Sequence, residues 1–573
     1  MSLAPAKHRN DACVLRIGMG SFRTRRVTAP ADRPRTAVSW RAAMRCAAAG
    51  IIVAAALLLP FLNKAFAVDD PYFLLMARQI LHSPLRPLSV NLCWFGSEMC
   101  AKASDLGPSD ALGGYFLVPV ILLGGSEIVA HILQLGLLCV AILETAMLAF
   151  RLGLGRFGAT VAALTMAVSP AVLPFASSVM PDILAMTLGV AGLERLCAWK
   201  TGARAHQCAA AIACLGLAPC ARPHLLLLLV PAALFIKGGG SCFSPKGWLR
   251  APRRYWIPLI AAALLAWVVA MLYAEPGVAL HPPRFLLSPE NIRPNVRAFL
   301  IYLVLAVPFA VPWLVLRPRR AWQVLAAFIP VTAVFVWKTS VYPASQAWPA
   351  VLAALGATAL TAVLIDAIRK REAVPLALAL WLLIPLAAAA YVHVPIKYLA
   401  ASGPAVAILM AKLLESDRRR FAVVAMSAFL VASATLSWLI VKADGEFAES
   451  ARRVSAEVIA PRVGSGQRVW CAGEWGFYWY AQEAGARVSR PDGEVARSGD
   501  VLVVGRNETG EPALKRFPHR TLLERRTFYA SGGRTLSPEN HVGFYSNTQG
   551  ELPWGWAPGE LNRYEVWRID DGN

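Results

Sequence analysis

Apolar residues along this chain come in long unbroken blocks rather than at every second or every third-to-fourth position. Runs of roughly 15–24 residues recur from Ile51 to Ile440, each about long enough to cross the hydrocarbon of a bilayer. Short breaks rich in Arg, Gly and Pro separate them. The blocks predict about thirteen membrane-crossing helices, on length and on the sidedness of the charges between them. They lie near 44–64, 127–150, 157–179, 182–199, 205–219, 223–237, 255–274, 297–316, 321–341, 346–368, 373–392, 397–414 and 421–441. The run Leu112 to Leu123 is too short to span and is expected as a helix lying in the outer interface. The two blocks at 205–237 are short and meet at Arg222-Pro223.

Composition agrees with the pattern. Of 573 residues, 57% are hydrophobic and 16% charged, where soluble domains carry about 25% charged residues. The net charge of +22 raises the question of a nucleic-acid partner, and its distribution answers it. From Lys442 to Asn573 the chain has 17 Lys and Arg against 18 Asp and Glu. The excess sits in the N-terminal arm and in alternate breaks: Arg151/Arg156, Lys200/Arg204, Lys246/Arg250/Arg253/Arg254, Arg317/Arg319/Arg320, Arg369/Lys370/Arg371 and Arg418/Arg419/Arg420. Clusters in alternate loops set orientation by the positive-inside rule. The expectation is therefore no nucleic acid, a cytoplasmic N-terminus and an extracytoplasmic C-terminal tail.

Domains follow from the same frame. Residues 1–40 form a basic, aperiodic arm expected to be disordered; residues 41–441 form the membrane domain, with a first outer loop over 65–126; residues 442–573 form the outer tail. Ala65-Phe66-Ala67 reads as a small-x-small cleavage site, but the long arm before the apolar run and Lys64 beside the site favour an uncleaved first span. In the tail, QRVWCAGEWGFYWYAQEAG reads as strand, turn and helix and GDVLVVG as a strand, which predicts a small α/β domain. Most of the 11 cysteines lie in the apolar blocks as small apolar residues. Cys93 and Cys100 in the first loop leave a disulfide and two free thiols equally open. No P-loop, GxSxG or HExxH is present, and the sequon Asn507-Glu508-Thr509 is a three-residue match of little weight.

Chemistry concentrates at FAVDDPYFLLMARQIL, Phe66 to Leu81, where two carboxylates follow almost directly on the first apolar run. A charge at the bilayer centre costs about 2.5–3.5 kcal/mol on insertion scales; at the boundary Asp69 and Asp70 escape most of it. That boundary is where a lipid-linked substrate presents its head group. Adjacent carboxylates raise one another's pKa, which suits a general base. An acid before Pro71 and an apolar helix also matches helix-capping chemistry, which local sequence alone favours.

At DDPYFLLMARQIL the chain resembles the first-loop motif of GT-C glycosyltransferases, in the family 39 branch of protein O-mannosyltransferases, aminoarabinose transferases and Rgt-like bacterial proteins. Asp69, Asp70, Ala77, Arg78, Ile80 and Leu81 fall in register with it. Asp182 in VMPDILAM, and Lys397-Tyr398-Leu399 followed by Pro404, resemble further motifs of that branch, as do thirteen spans and an outer C-terminal domain. The resemblance runs from about Ala43 to Ile440. Two residues depart from it: Lys397 stands where Arg is usual, losing bidentate geometry while keeping the charge, and Leu75 stands where an acid is frequent, which leaves a divalent metal an open question.

The resemblance implies a GT-C fold and inverting transfer of a sugar from a polyprenyl phosphate, at the outer face of an inner membrane, to a protein, lipid or glycan acceptor. Asp69 would be the base and Asp70 its helper. Arg78, Arg222, Lys338, Lys397 and Tyr398 would meet the donor phosphate. Asp182 would contact the acceptor or pair with Arg222, with His224 nearby. Arg78 also reads as a snorkelling interfacial residue and Lys338 as the mark of a span end. The aromatic run Trp475 to Tyr480 reads either as a sugar platform or as a buried helix face. A transporter or flippase of lipid-linked saccharides is the alternative from another class, and a non-catalytic sugar-lipid binder a third. Internal repeats and midplane polar residues, the marks of transporters, are not evident.

Overall fold

A computed structural model of the chain describes residues 39–92, 101–106, 110–202, 204–237, 256–273, 287–317, 348–416, 419–473, 475–488, 494–506 and 511–572. Lys338, Cys93, Cys100 and the 321–341 block lie outside them. The described chain forms one compact unit, mostly helical.

The alanine-rich stretch Trp40–Leu58 is helical and tightens into a single turn at Leu59–Phe61, where Pro60 removes an amide donor. Glu127–Arg151 follows, with an acid in its first turn and a base in its last, each matching the helix dipole. Among the described residues, five helical stretches are long and apolar enough to cross a membrane: Trp40–Phe61, Glu127–Arg151, Trp348–Lys370, Ile396–Ser416 and Arg420–Gly464. A sixth arises if Pro289–Leu305 and Ala310–Leu316, bent by 59°, form one span. Shorter apolar helices occupy Ala111–Leu122, Ala205–Ala221, Pro223–Lys237, Ile257–Tyr273 and Ala373–Ala388.

The block expected as one helix over 157–179 is different. The helix Arg156–Ala167 stops, and the chain runs through a short 3-10 turn at Pro174–Ser177 before the helix Asp182–Gly202 begins. Pro170, Pro174 and Pro181 break the helical hydrogen-bond ladder here. Every residue from Val168 to Pro181 is buried. Irregular backbone at membrane depth is tolerated where protein surrounds it, and its freed polar groups become available to side chains. A second irregular stretch joins the turn Ile384–Ala388 to the turn Ile396–Ser402, ahead of the helix Gly403–Ser416.

The tail continues from the 35-residue helix Arg420–Val454. It builds a five-stranded mixed sheet in the order Arg487–Val488, Val469–Ala472, Val501–Gly505, Gly559–Ile569, Arg520–Ala530. The first three strands run parallel and the last two antiparallel. Val501 to Gly505 is buried on both faces, as its unbroken apolar run predicts. One face shares a core with the first loop: Val469, Phe477, Val503 and Tyr564 pack in the same cluster as Phe66, Phe73 and Leu117. The tail and the first loop are one packing unit.

Candidate active site

Asp69 is the N-cap residue of the helix Asp70–His82, yet its side chain caps no backbone amide. Its carboxylate instead meets Lys397 Nζ at 2.5 Å, across 328 residues of sequence. Lys397 is buried on its 3-10 turn, also 3.7 Å from the Met180 sulfur, while 35% of the Asp69 side chain stays open to solvent. Burial alone would raise the Asp69 carboxyl; Lys397, with Arg222 and His393 acting through space, more than offsets this and holds it below the usual range. Val68, directly before it, has φ 50°. A β-branched residue in the left-handed region is a genuine outlier, and such strain clusters at functional sites.

Asp70 has a different environment. It is fully buried, and Ala67 N–H, Ser178 Oγ and Val179 N–H donate to it at 3.0, 2.7 and 2.8 Å. Two of those donors come from the proline-broken stretch. Burial pushes the Asp70 carboxyl up to about 6, against Lys64 and these donors, which favour the charged form. Its atoms are engaged in holding the turn that carries Asp69.

Arg222 lies where the helix Ala205–Ala221 ends before Pro223. Its Nε and Nη2 donate to the two Asp182 oxygens at 2.9 and 2.6 Å, a bidentate pair. Its Nη1 donates to Asp110 Oδ2 at 2.6 Å. The guanidinium lies 5.9 Å from the ring centres of both Phe73 and Tyr398, and Tyr398 sits against His224 at 5.0 Å. Burial raises the Asp110 carboxyl to about 6 although Arg222 opposes it. Asp110 Oδ1 and His224 Nε2 are buried without a hydrogen-bond partner among the described residues. Orphaned buried polar atoms are costly, and two in one cluster mark capacity for a ligand.

Of the residues singled out in the sequence, the fold brings together Asp69, Lys397, Tyr398, Arg222, Asp182 and His224. It does not bring Arg78, which pairs with Glu483 of the tail at 2.8 Å and lies 4.1 Å over the Trp479 ring. The aromatic run Phe477 to Tyr480 is buried on the helix Trp475–Glu483. Asp110 was not foreseen, since nothing in its loop sequence sets it apart from other turn acids. Lys64 and Asp444 were also missed as a pair: they meet at 2.6 Å, almost fully buried. Among the described residues no group of three or more His, Cys, Asp or Glu is placed to hold a metal ion.

No family model and no curated protein matches the sequence. Solved structures of ArnT and of an arabinofuranosyltransferase are similar to the chain, with TM-scores below 0.5. The chain is similar to ArnT from Cupriavidus metallidurans in the apo state, with 14% identity, TM-score 0.47, and 93% of this chain and 100% of that one covered. The same protein bound to undecaprenyl phosphate matches with 12% identity, TM-score 0.46, and 92% and 98% coverage. The arabinofuranosyltransferase AftD from Mycobacteria matches with 14% identity, TM-score 0.40, and 94% of this chain, which spans 40% of AftD. At this level of likeness, function has to be argued from this chain's own side chains.

Proposed function

We propose that the protein is an inverting glycosyltransferase that moves a sugar from a polyprenyl-phosphate donor to an acceptor at the outer face of the inner membrane. The observation that carries this is the partly open Asp69 carboxylate on a strained turn, with one cation at 2.5 Å and a second, Arg222, acting on it through space. A base and a phosphate-stabilising cation are what displacement of a lipid phosphate needs.

With no donor present, Lys397 neutralises Asp69 and keeps it a weak base. A donor phosphate competes for Lys397 Nζ, and as the lysine turns to it Asp69 loses its counter-ion and its affinity for a proton rises. Asp69 then takes the proton from the acceptor hydroxyl or amide as that group attacks the anomeric carbon. The bond to the phosphate oxygen breaks, and Lys397 stabilises the departing charge. Arg222 supports the same phosphate from its Asp182–Asp110 cradle, and Tyr398 and His224 line that side. Asp70 keeps the turn in shape and leaves the acceptor to Asp69.

A second reading, transport of a lipid-linked saccharide, draws support from the 59° bend at Leu305–Ala310, since broken helices serve transporters. The test is covalent. Membranes carrying the protein are given radiolabelled polyprenyl-phosphate sugars, and label is followed to acceptor. Transfer supports the enzyme; movement of the lipid across vesicles with no transfer supports the transporter.

A further inference from the structure

We infer that the tail helix Trp475–Glu483 is a positioning element of the site, holding the Phe66–Asp69 segment in the shape that presents Asp69; this rests on the transferase reading above. Four observations converge on it. Phe66 N–H donates to Tyr480 Oη at 2.8 Å, and Tyr480 in turn donates to Glu127 Oε1 at 2.7 Å. The Phe66 ring stacks with Tyr480 and meets Trp479 edge-on, with centroids 6.4 and 6.0 Å apart. A Cβ added at Gly476 would stand 2.3 Å from the Phe66 carbonyl oxygen, so only glycine admits this approach. Val68 at φ 50° lies between Ala67, whose N–H is fixed on Asp70, and Asp69 itself.

Strain of this kind persists only where surroundings over-determine it. Asp70 fixes the segment from the membrane side; Tyr480 fixes it from the tail side. A tail concerned only with choosing an acceptor would have no reason to hydrogen-bond the backbone three residues before the proposed base. Tyr480 acts through Phe66 on Asp69 and is a positioning residue.

The test compares wild type, Tyr480→Phe and Glu483→Gln, full length and in nanodiscs. Tyr480→Phe keeps the ring and removes both hydrogen bonds. Glu483→Gln, on the same helix as Tyr480, removes only the charge of the exposed pair with Arg78 of the helix Asp70–His82. The expected result for Tyr480→Phe is kcat reduced at least ~10-fold with donor KM within about twofold, the signature of misplaced chemistry rather than lost binding. Faster hydrogen exchange at the Phe66 amide should accompany it, with thermal unfolding little changed and Glu483→Gln near wild type. Wild-type kcat in Tyr480→Phe overturns the inference, as does an equal loss in Glu483→Gln. Should Tyr480→Phe fail to fold, Gly476→Ala, whose Cβ would stand 2.3 Å from the Phe66 carbonyl oxygen, disturbs the same segment and is held to the same criteria. If wild type transfers no sugar from any donor, the transferase reading fails by itself, and exchange at Phe66 then judges the positioning: accelerated exchange in Tyr480→Phe upholds it and unchanged exchange overturns it.

Discussion

Two ion pairs leave the end of the first apolar helix five residues apart, and they are built differently. Lys64–Asp444 is sealed, with side chains 1% and 2% exposed. Each partner has further bonds: Lys64 donates to the Ser177 carbonyl, and Asp444 accepts from Tyr545 and Thr535. Lys397–Asp69 is open on one side, with Asp69 35% exposed. A sealed pair with every group engaged ties the first helix to the helix entering the tail and has nothing to exchange. An open pair with a single shared contact can hand its cation to a ligand. Burial and partner count, rather than charge type, separate structure from chemistry here.

The largest expected effect breaks the sealed pair. Lys64→Met leaves Asp444 buried and uncompensated, which should cost about 3–5 kcal/mol of stability. Thermal unfolding in detergent should show a clear drop for it and a much smaller one for Lys397→Met, whose orphaned Asp69 still reaches solvent. Equal drops would erase the contrast.

Lys397→Met should instead strike transfer, lowering kcat by ~10²–10³, the usual loss when one charge-stabilising donor is removed. Activity little changed in that variant would place the phosphate elsewhere.

The pH profile sharpens the comparison further. Asp70 and Asp110 are both raised to about 6, so both take protons as pH falls through that value. Protonated Asp70 loses an acceptor for the turn, and protonated Asp110 loosens Arg222. Transfer should therefore rise with pH through about 6, although Asp69 itself is already ionised there. Asp70→Asn should make that limb shallower at a lower rate, leaving the part that belongs to Asp110, and Asp70→Asn with Asp110→Asn should flatten it; a limb near 4 in wild type would contradict the assignment.

The smallest effect belongs to Arg78→Gln. Its pair with Glu483 is exposed on both sides, so stability should change by less than about 1 kcal/mol. A loss of transfer rivalling Lys397→Met would return Arg78 to the donor phosphate.

Much of the helical architecture was legible because apolar blocks announce themselves, and the tail's strand–turn–helix at Val469–Glu483 followed from local pattern. The break after Ala167 was written in Pro170, Pro174 and Pro181 but masked by continuous hydrophobicity. The strand Arg520–Ala530 hides behind its charges, RTLLERRTFYA, because it lies at the sheet edge with several residues exposed. At the site, Asp69, Arg222 and Lys397 stood out as charges beside apolar runs. Their partners did not: Asp69 to Lys397 spans 328 residues and Arg222 to Asp110 spans 112, and no local pattern encodes such distances. Tyr480 was visible only as part of an aromatic run; its bond to the Phe66 backbone required the fold.

The most direct test of the central claim is transfer from a panel of radiolabelled polyprenyl-phosphate sugars by wild type and Asp69→Asn in membranes. Asn keeps the size of the side chain and an oxygen that accepts from the buried Lys397 ammonium, and Asp69 caps no helix amide; thermal unfolding is read beside transfer, because the lysine loses its counter-charge. Label reaching an acceptor with wild type and not with Asp69→Asn is the predicted result. Undiminished transfer in Asp69→Asn would contradict the account.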